Sequence, residues 1–202
     1  HAATAELYTG AESILAPIVR DHRDALFLVS KVLPEHATSA GIARACEQGL
    51  ARLGTDRLDV YLLHWLTEEV SLPEAIGALE KLVDQGKTRF IGVSNFEPHE
   101  LDEARRLATR HPIVCNQVLH HLGDRGIENE LLPRCAAVNV AVVGYSPFGS
   151  GEFPPDGQRA RRNLLGLLAV SLLACTRVAR GRTNRLDSAV SATGASMPFS
   201  LL

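Results

Sequence analysis

The chain has 202 residues, 46% of them hydrophobic, with a formal net charge of −2. That is enough apolar content for one large domain and too little charge of either sign to mark a nucleic-acid or membrane-surface binder. The four cysteines, Cys46, Cys115, Cys135 and Cys175, make no C-x-x-C pair and no metal-ligand spacing, so the expectation is reduced thiols in a cytoplasmic protein without a metal site. The longest apolar run, Leu164 to Cys175, is broken by Gly166 and Ser171 and is too short to span a bilayer. The chain opens on His1 and shows no signal-peptide pattern.

Taken in order, Ala2 to Ala5 reads as the tail of a strand. Glu12 to Arg20 reads as a helix, with Ile14, Leu15, Ile18 and Val19 on one face. Leu26 to Lys31 is an apolar strand ending in a lysine. Thr38 to Leu53 carries Ile42, Cys46, Leu50 and Leu53 at helical spacing, and Gly54 follows as a C-cap. Leu58 to His64 is almost wholly apolar, as a parallel strand buried on both faces should be, and ends in an imidazole. Ser71-Leu-Pro-Glu74 has the form of a capping box with proline in the first turn, opening a helix that Gly86 ends. Phe90 to Val93 is a strand followed by Ser94-Asn95. Pro98 to Arg110 is a helix, Ile113 to Gln117 a strand, and Asn129 to Val138 a helix closed by Asn139. Val140 to Tyr145 is the last clear strand, before the turn Ser146 to Gly149.

Strands and helices that alternate this regularly predict a parallel sheet with crossover helices. No G-x-G-x-x-G follows the first strand, as it would in an open sheet built for dinucleotides. The expected fold is therefore α/β of the (β/α)8 barrel type. Five full strands and the tail of another are fewer than a closed barrel of about 250 residues needs, so the barrel is expected to be incomplete. The first strand is missing, and the last would have to come from residues 151–202. That segment is distinct: it holds seven arginines and no lysine, and its end is rich in Ser, Ala, Thr and Gly. It lacks the interleaved aromatics of a nucleic-acid-binding tail. The division expected is a partial barrel over 1–150 and a divergent, poorly ordered tail over 151–202.

The strand ends carry the chemistry. Tyr8 follows the first partial strand, and Lys31, His64, Ser94-Asn95, Asn116-Gln117 and Tyr145-Ser146 stand at later ones. Burying such groups costs free energy unless they are paired or used. Each has a bland reading too. His64 alone could be a satisfied core histidine, Ser94-Asn95 could cap the next helix, and adjacent His120-His121 on a strand would point to opposite faces and could not share a metal.

The set of motifs resembles the aldo-keto reductases, particularly bacterial members related to diketogluconate reductases. It comprises Thr4-Ala-Glu-Leu-Tyr8, Val29-Ser-Lys31, Tyr61-Leu-Leu-His-Trp65, Ile91-Gly-Val-Ser-Asn-Phe96, Asn116-Gln117 and Gly144-Tyr-Ser-Pro-Phe148. The resemblance implies an NADPH-dependent oxidoreductase acting on small aldehydes and ketones, with NADH as the alternative nucleotide. By resemblance Tyr8 is the general acid, Lys31 lowers the pKa of its phenol, and His64 orients the carbonyl. Ser94, Asn95 and Gln117 match the groups that hold the nicotinamide carboxamide. Tyr145 matches the aromatic that stacks on the nicotinamide ring, and Ser146 opens a pyrophosphate-contacting turn.

Two positions depart from the family pattern. Where the family has an aspartate five residues before the tyrosine, this chain has Ala3, and activity is expected to be strongly reduced. The basic loop that grips the adenosine 2′-phosphate has no match in Gly151 to Leu202. The alternatives to an active enzyme are a cofactor-binding or partner-binding relative without turnover, and an inactive truncated copy with unpaired strand edges.

Overall fold

In the computed structural model, residues 2–147 and 149 are described, residues 2–9 by their backbone alone. The elements are α1 (Ala2–His22), β1 (Val29–Val32), α2 (Ser39–Leu53), β2 (Leu58–Leu63), α3 (Leu72–Asp84), β3 (Thr88–Ser94), α4 (Pro98–Leu107), β4 (Ile113–Leu119), α5 (Leu131–Ala137) and β5 (Ala141–Tyr145). The five strands form one parallel sheet in the order β1-β2-β3-β4-β5. Strictly sequential order is what a barrel wall has. A doubly wound open sheet reverses its order at a switch point. The sheet is thus an arc of an α/β barrel, incomplete as expected, with β1 and β5 at its edges among the described residues.

The first element corrects the reading of Ala2 to Ala5 as a strand tail. Those residues begin one helix of 21 residues that also takes in Glu12 to Arg20. Three alanines in the first four positions favour helix, and no described strand offers them a ladder. Pro17 lies inside α1 and removes one backbone donor there. The expected capping box at Ser71 does not close. Ser71 makes no side-chain cap, and the Glu74 carboxylate instead accepts from the backbone N–H of Ser39 at the start of α2, at 2.7 Å. α4 ends at Leu107 rather than Arg110, because the buried Glu80 carboxylate accepts from the backbone N–H of Arg110 at 2.6 Å and of His111 at 3.0 Å. α5 starts at Leu131 rather than Asn129, after a short 3-10 turn over Gly126–Glu128.

Other local signals are present as read. Thr38 caps α2 by accepting from the Gly41 N–H, and Gly54 ends it in the left-handed region at φ 68°. Asn139, at φ 56°, closes the turn into β5.

The pleat divides the side chains into two sets. One set faces the helices and forms the main core, with Ile42, Leu63, Ile76, Leu79, Ile91 and Leu101 all fully buried. The other face carries a smaller cluster made of strand residues only, with Val60, Leu62, Cys115 and Ala141 buried in it. Gly92 sits on that face at an irregularity, where Ile91 pairs with Ile113 but Val93 pairs with Asn116. A Cβ at Gly92 would lie 2.7 Å from Leu62 Cδ2 and 2.8 Å from the Cys115 carbonyl oxygen. Backbone cannot yield cheaply, so Gly92→Ala is expected to lower stability by about 1–3 kcal/mol. Urea denaturation measures this. An unchanged midpoint would mean that the bulge relaxes to admit a methyl group.

Candidate active site

The face that no described helix covers carries the candidate site. Lys31 pairs in register with Leu62, Gln117 with Val143, and Leu119 with Tyr145. With side chains alternating along each strand, Lys31, Gln117 and Tyr145 fall on the same face as Val60, Leu62, Cys115 and Ala141. His64 continues the same parity two residues after Leu62. Its backbone N–H donates to the Val32 carbonyl at 3.0 Å, so the ends of β1 and β2 are tied side by side. All these groups stand at the C-terminal ends of their strands, the face where barrel chemistry is built.

Asn95 is the node that joins them. It follows β3 in the left-handed region at φ 59°, which asparagine tolerates better than most residues. Its backbone N–H donates to the Gln117 carbonyl at 2.9 Å. Its side-chain amide donates to the His64 carbonyl at 3.1 Å and to Ser94 Oγ at 3.2 Å. Its Oδ1 accepts from the Tyr145 hydroxyl at 2.9 Å. Ser94 Oγ donates in turn to the Gln117 carbonyl at 2.7 Å. Four strand ends are thereby locked to one residue. Lys31 Nζ stands 6.0 Å from the centre of the Tyr145 ring, within cation–π range. Ser146 is a second residue of positive φ, at 51°, and its carbonyl accepts from the Gly149 N–H at 2.9 Å to close the turn.

Six of the eight residues singled out in the sequence therefore converge: Lys31, His64, Ser94, Asn95, Gln117 and Tyr145. Ser146 follows directly. Tyr8 lies in the second turn of α1 rather than after a strand, and its side chain falls outside the described residues. The capping alternative for Ser94-Asn95 is overturned. Glu97 is the N-cap of α4, in a reciprocal box with Glu100. His120 is buried and bonded to the Glu128 carboxylate at 3.0 Å, while His121 turns to Asp124 through paired backbone bonds. Among the described residues no three His, Cys, Asp or Glu side chains gather as metal ligands. The Tyr145–Asn95 bond escaped sequence reasoning. So did the contact of the Trp65 ring, which meets His64 edge-on at 4.2 Å between centroids.

The electrostatics set protonation states. Burial pushes the His64 pKa down to about 4, and the positive charge of Lys31 pushes the same way, while Glu35 opposes. Burial also lowers the Lys31 pKa. At neutral pH His64 is a neutral imidazole, able to donate one hydrogen bond but not to deliver a proton from a cation. The Gln117 Oε1 atom is buried and has no hydrogen-bond partner among the described residues. A buried acceptor of this kind is costly unless a donor completes it.

The aldo/keto reductase family model matches residues 1–165, past the Phe148 at which the motifs end. The chain belongs to the aldo/keto reductase family. It is 44% identical over 173 residues to the methylglyoxal reductase YeaE of Escherichia coli, covering 85% of this chain and 58% of that protein. An aldo/keto reductase of Klebsiella pneumoniae, solved with NADP and acetate, is 43% identical with a TM-score of 0.66. The alignment covers 74% of this chain and 52% of that one. The thermostable aldo-keto reductase Tm1743, solved with the inhibitor epalrestat, is 39% identical with a TM-score of 0.69, over 73% of this chain and 54% of that one. The chain thus spans little more than half the length of these relatives.

His64 is expected to titrate far below an ordinary histidine. Its folded pKa, near 4, lies below the unfolded value near 6.5, so the unfolded state binds more protons between them. The His64 contribution to stability is present above pH ~6.5 and is lost as pH falls toward 4. A two-dimensional NMR titration of the imidazole resonances checks this, and a midpoint above 6 for His64 would refute the burial argument.

Proposed function

We propose that this chain carries the nicotinamide half of an NADPH-dependent oxidoreductase that reduces small aldehydes and ketones to alcohols. The observation that carries the proposal is the convergence of Lys31, His64 and the Ser94–Asn95–Gln117–Tyr145 network on one helix-free face. The NADP and NADPH complexes of similar reductases support the choice of cofactor.

The residues fit a nicotinamide. Gln117 Oε1 is a buried acceptor suited to a carboxamide N–H, with Ser94 and Asn95 beside it. Tyr145 offers a ring held by its hydroxyl bond to Asn95, so it can serve as a fixed stacking platform. Ser146 and the turn to Gly149, closed by the Gly149 N–H on the Ser146 carbonyl, are assigned by resemblance to the pyrophosphate. When bound, the reduced cofactor supplies a hydride to the carbonyl carbon. The chain must then deliver a proton to the carbonyl oxygen. Neutral His64 would orient and polarise that oxygen by a hydrogen bond, and by the family resemblance the Tyr8 phenol would supply the proton. The Lys31 ammonium favours the phenolate that remains. We place the protein in the cytoplasm, consistent with the free, buried Cys46, Cys115 and Cys135. No helix among the described residues is long and apolar enough to cross a membrane.

A second reading rests on Ala3. The family aspartate that pairs with the lysine is replaced there, which supports a relative that binds the cofactor and turns over slowly or not at all. The two are separated by titrating NADPH against Trp65 emission and following NADPH oxidation with methylglyoxal. Saturable quenching with turnover supports the enzyme. Quenching without turnover supports the binding relative, and no quenching refutes both. Ala3→Asp is expected to raise kcat without changing NADPH affinity, and an unchanged kcat would count against the missing carboxylate as the cause of a low rate. Gln117→Leu removes the buried acceptor at similar volume. It is expected to weaken NADPH binding roughly tenfold, for a loss of about 1–1.5 kcal/mol. Unchanged affinity would remove Gln117 from the site.

A further inference from the structure

Two adjacent histidines follow β4, and their rings are used differently. His120 is buried, and its Nε2 atom is bonded to the Glu128 carboxylate at 3.0 Å. Glu128 is held in turn by Arg125, so the His120 ring belongs to the packing of the β4–α5 loop. His121 is half-buried and has the parity of Gln117 and Leu119, the β4 residues on the face of the candidate site. Paired backbone bonds with Asp124, at 3.1 and 3.0 Å, fix it in a tight turn.

The His121 ring meets two segments of chain. The Gly123 N–H donates to its Nδ1 atom at 3.1 Å. A Cβ at Gly123 would lie 3.4 Å from the ring, and one at Gly149 would lie 3.6 Å from Cε1 and 3.9 Å from Nε2. The ring therefore rests against both the β4–α5 loop and the turn that Gly149 closes on Ser146. The Gly123 bond also fixes the tautomer. A backbone N–H can only donate, so Nδ1 is the acceptor and the neutral ring carries its proton on Nε2. No described residue accepts that proton in a hydrogen bond. The Asp124 carboxylate, the closest in sequence, accepts instead from the Gly126 N–H at 3.3 Å.

We infer that His121 is a further cofactor-binding residue, its Nε2–H donating to a pyrophosphate oxygen of the nucleotide beside the turn of Ser146 and Gly149. The inference rests on the functional reading above and deepens it at the phosphate end of the cofactor. A charged oxygen makes a shorter and stronger hydrogen bond than a neutral one, so an anionic acceptor suits an N–H of this kind. The bond from Gly123 keeps the ring from turning away, which spares the ordering cost that a free side chain would meet on binding.

NADPH titrations followed by Trp65 emission test this on the full chain. His121→Asn keeps an acceptor near the place of Nδ1 and loses the distal N–H. His121→Gln keeps an N–H donor near the place of Nε2 and loses the acceptor for Gly123. The asparagine variant is expected to bind NADPH roughly tenfold more weakly, and the glutamine variant to stay within about threefold of the parent chain. A residue that only braced the loop would give the reverse order. That order, equal affinities in all three chains, or equal losses in both variants would overturn the inference. A second readout needs no variant: in the parent chain the His121 Nε2 proton resonance is expected to shift on adding NADPH, and an unmoved resonance would overturn the inference. Phosphorus NMR of bound NADPH locates the contact. Its pyrophosphate signals are expected to differ between the parent chain and His121→Asn with the 2′-phosphate signal unchanged, and identical pyrophosphate signals count against the contact. No quenching by NADPH in the parent chain would sink the functional reading and this inference together, whereas quenching that neither variant alters sinks the His121 contact alone.

Discussion

The hydrogen bonds of the Asn95 side chain are the constraint on which the site depends. One amide joins the His64 carbonyl, Ser94 Oγ and the Tyr145 hydroxyl, and the backbone of the same residue reaches Gln117. These partners come from four successive strand ends. Asparagine suits the position for two reasons: it accepts a left-handed backbone at little cost, and its amide both donates and accepts. An aspartate could not donate to a carbonyl, and a residue without a polar group would leave buried partners unsatisfied. The fold makes the node possible, because sequential parallel strands bring their C-terminal ends to a common edge.

Parity does the rest. In a sheet covered by helices on one side, the apolar core claims every second residue, and the alternate residues face what would be the barrel interior. That second cluster is small, so charged and polar groups can be placed at its upper end without crowding the main core. Lys31 and His64 share that space, and burial shifts both toward their neutral forms. Under the function proposed above, an imidazole held neutral there would orient a carbonyl and leave proton delivery to another group. At the opposite ends of the strands the ion pairs serve structure. Buried Asp59 accepts from the Leu28 N–H and is flanked by Arg23 at 3.1 Å and Arg89 at 2.9 Å, which ties β1, β2 and β3 together.

The alternation of short apolar runs with amphipathic helices identified the sequence as parallel α/β, and the polar residues ending those runs marked the candidate active face. Both are local properties, because burial on two faces and a 3.6-residue period are written into neighbouring residues. The same reasoning misread Ala2 to Ala5, since a few small apolar residues carry no decisive period. It also misread Ser71-Leu-Pro-Glu74, because the Glu74 carboxylate is claimed by another helix. The helix end at Leu107 was hidden for the same reason: its competitor, Glu80, is distant in the chain.

The sequence alone thus determined the class of fold, the order of the strands and which residues end them, since these follow from patterns a few residues long. Only the tertiary structure decided that Tyr145 bonds to Asn95, that Ser94 answers to Gln117 and not to the next helix, that a Cβ at Gly92 would meet Leu62 and Cys115, and that burial pushes the His64 pKa down. Each of these depends on groups tens of residues apart being brought within hydrogen-bond distance or shut away from water, and such distances are set by register and packing rather than by local pattern.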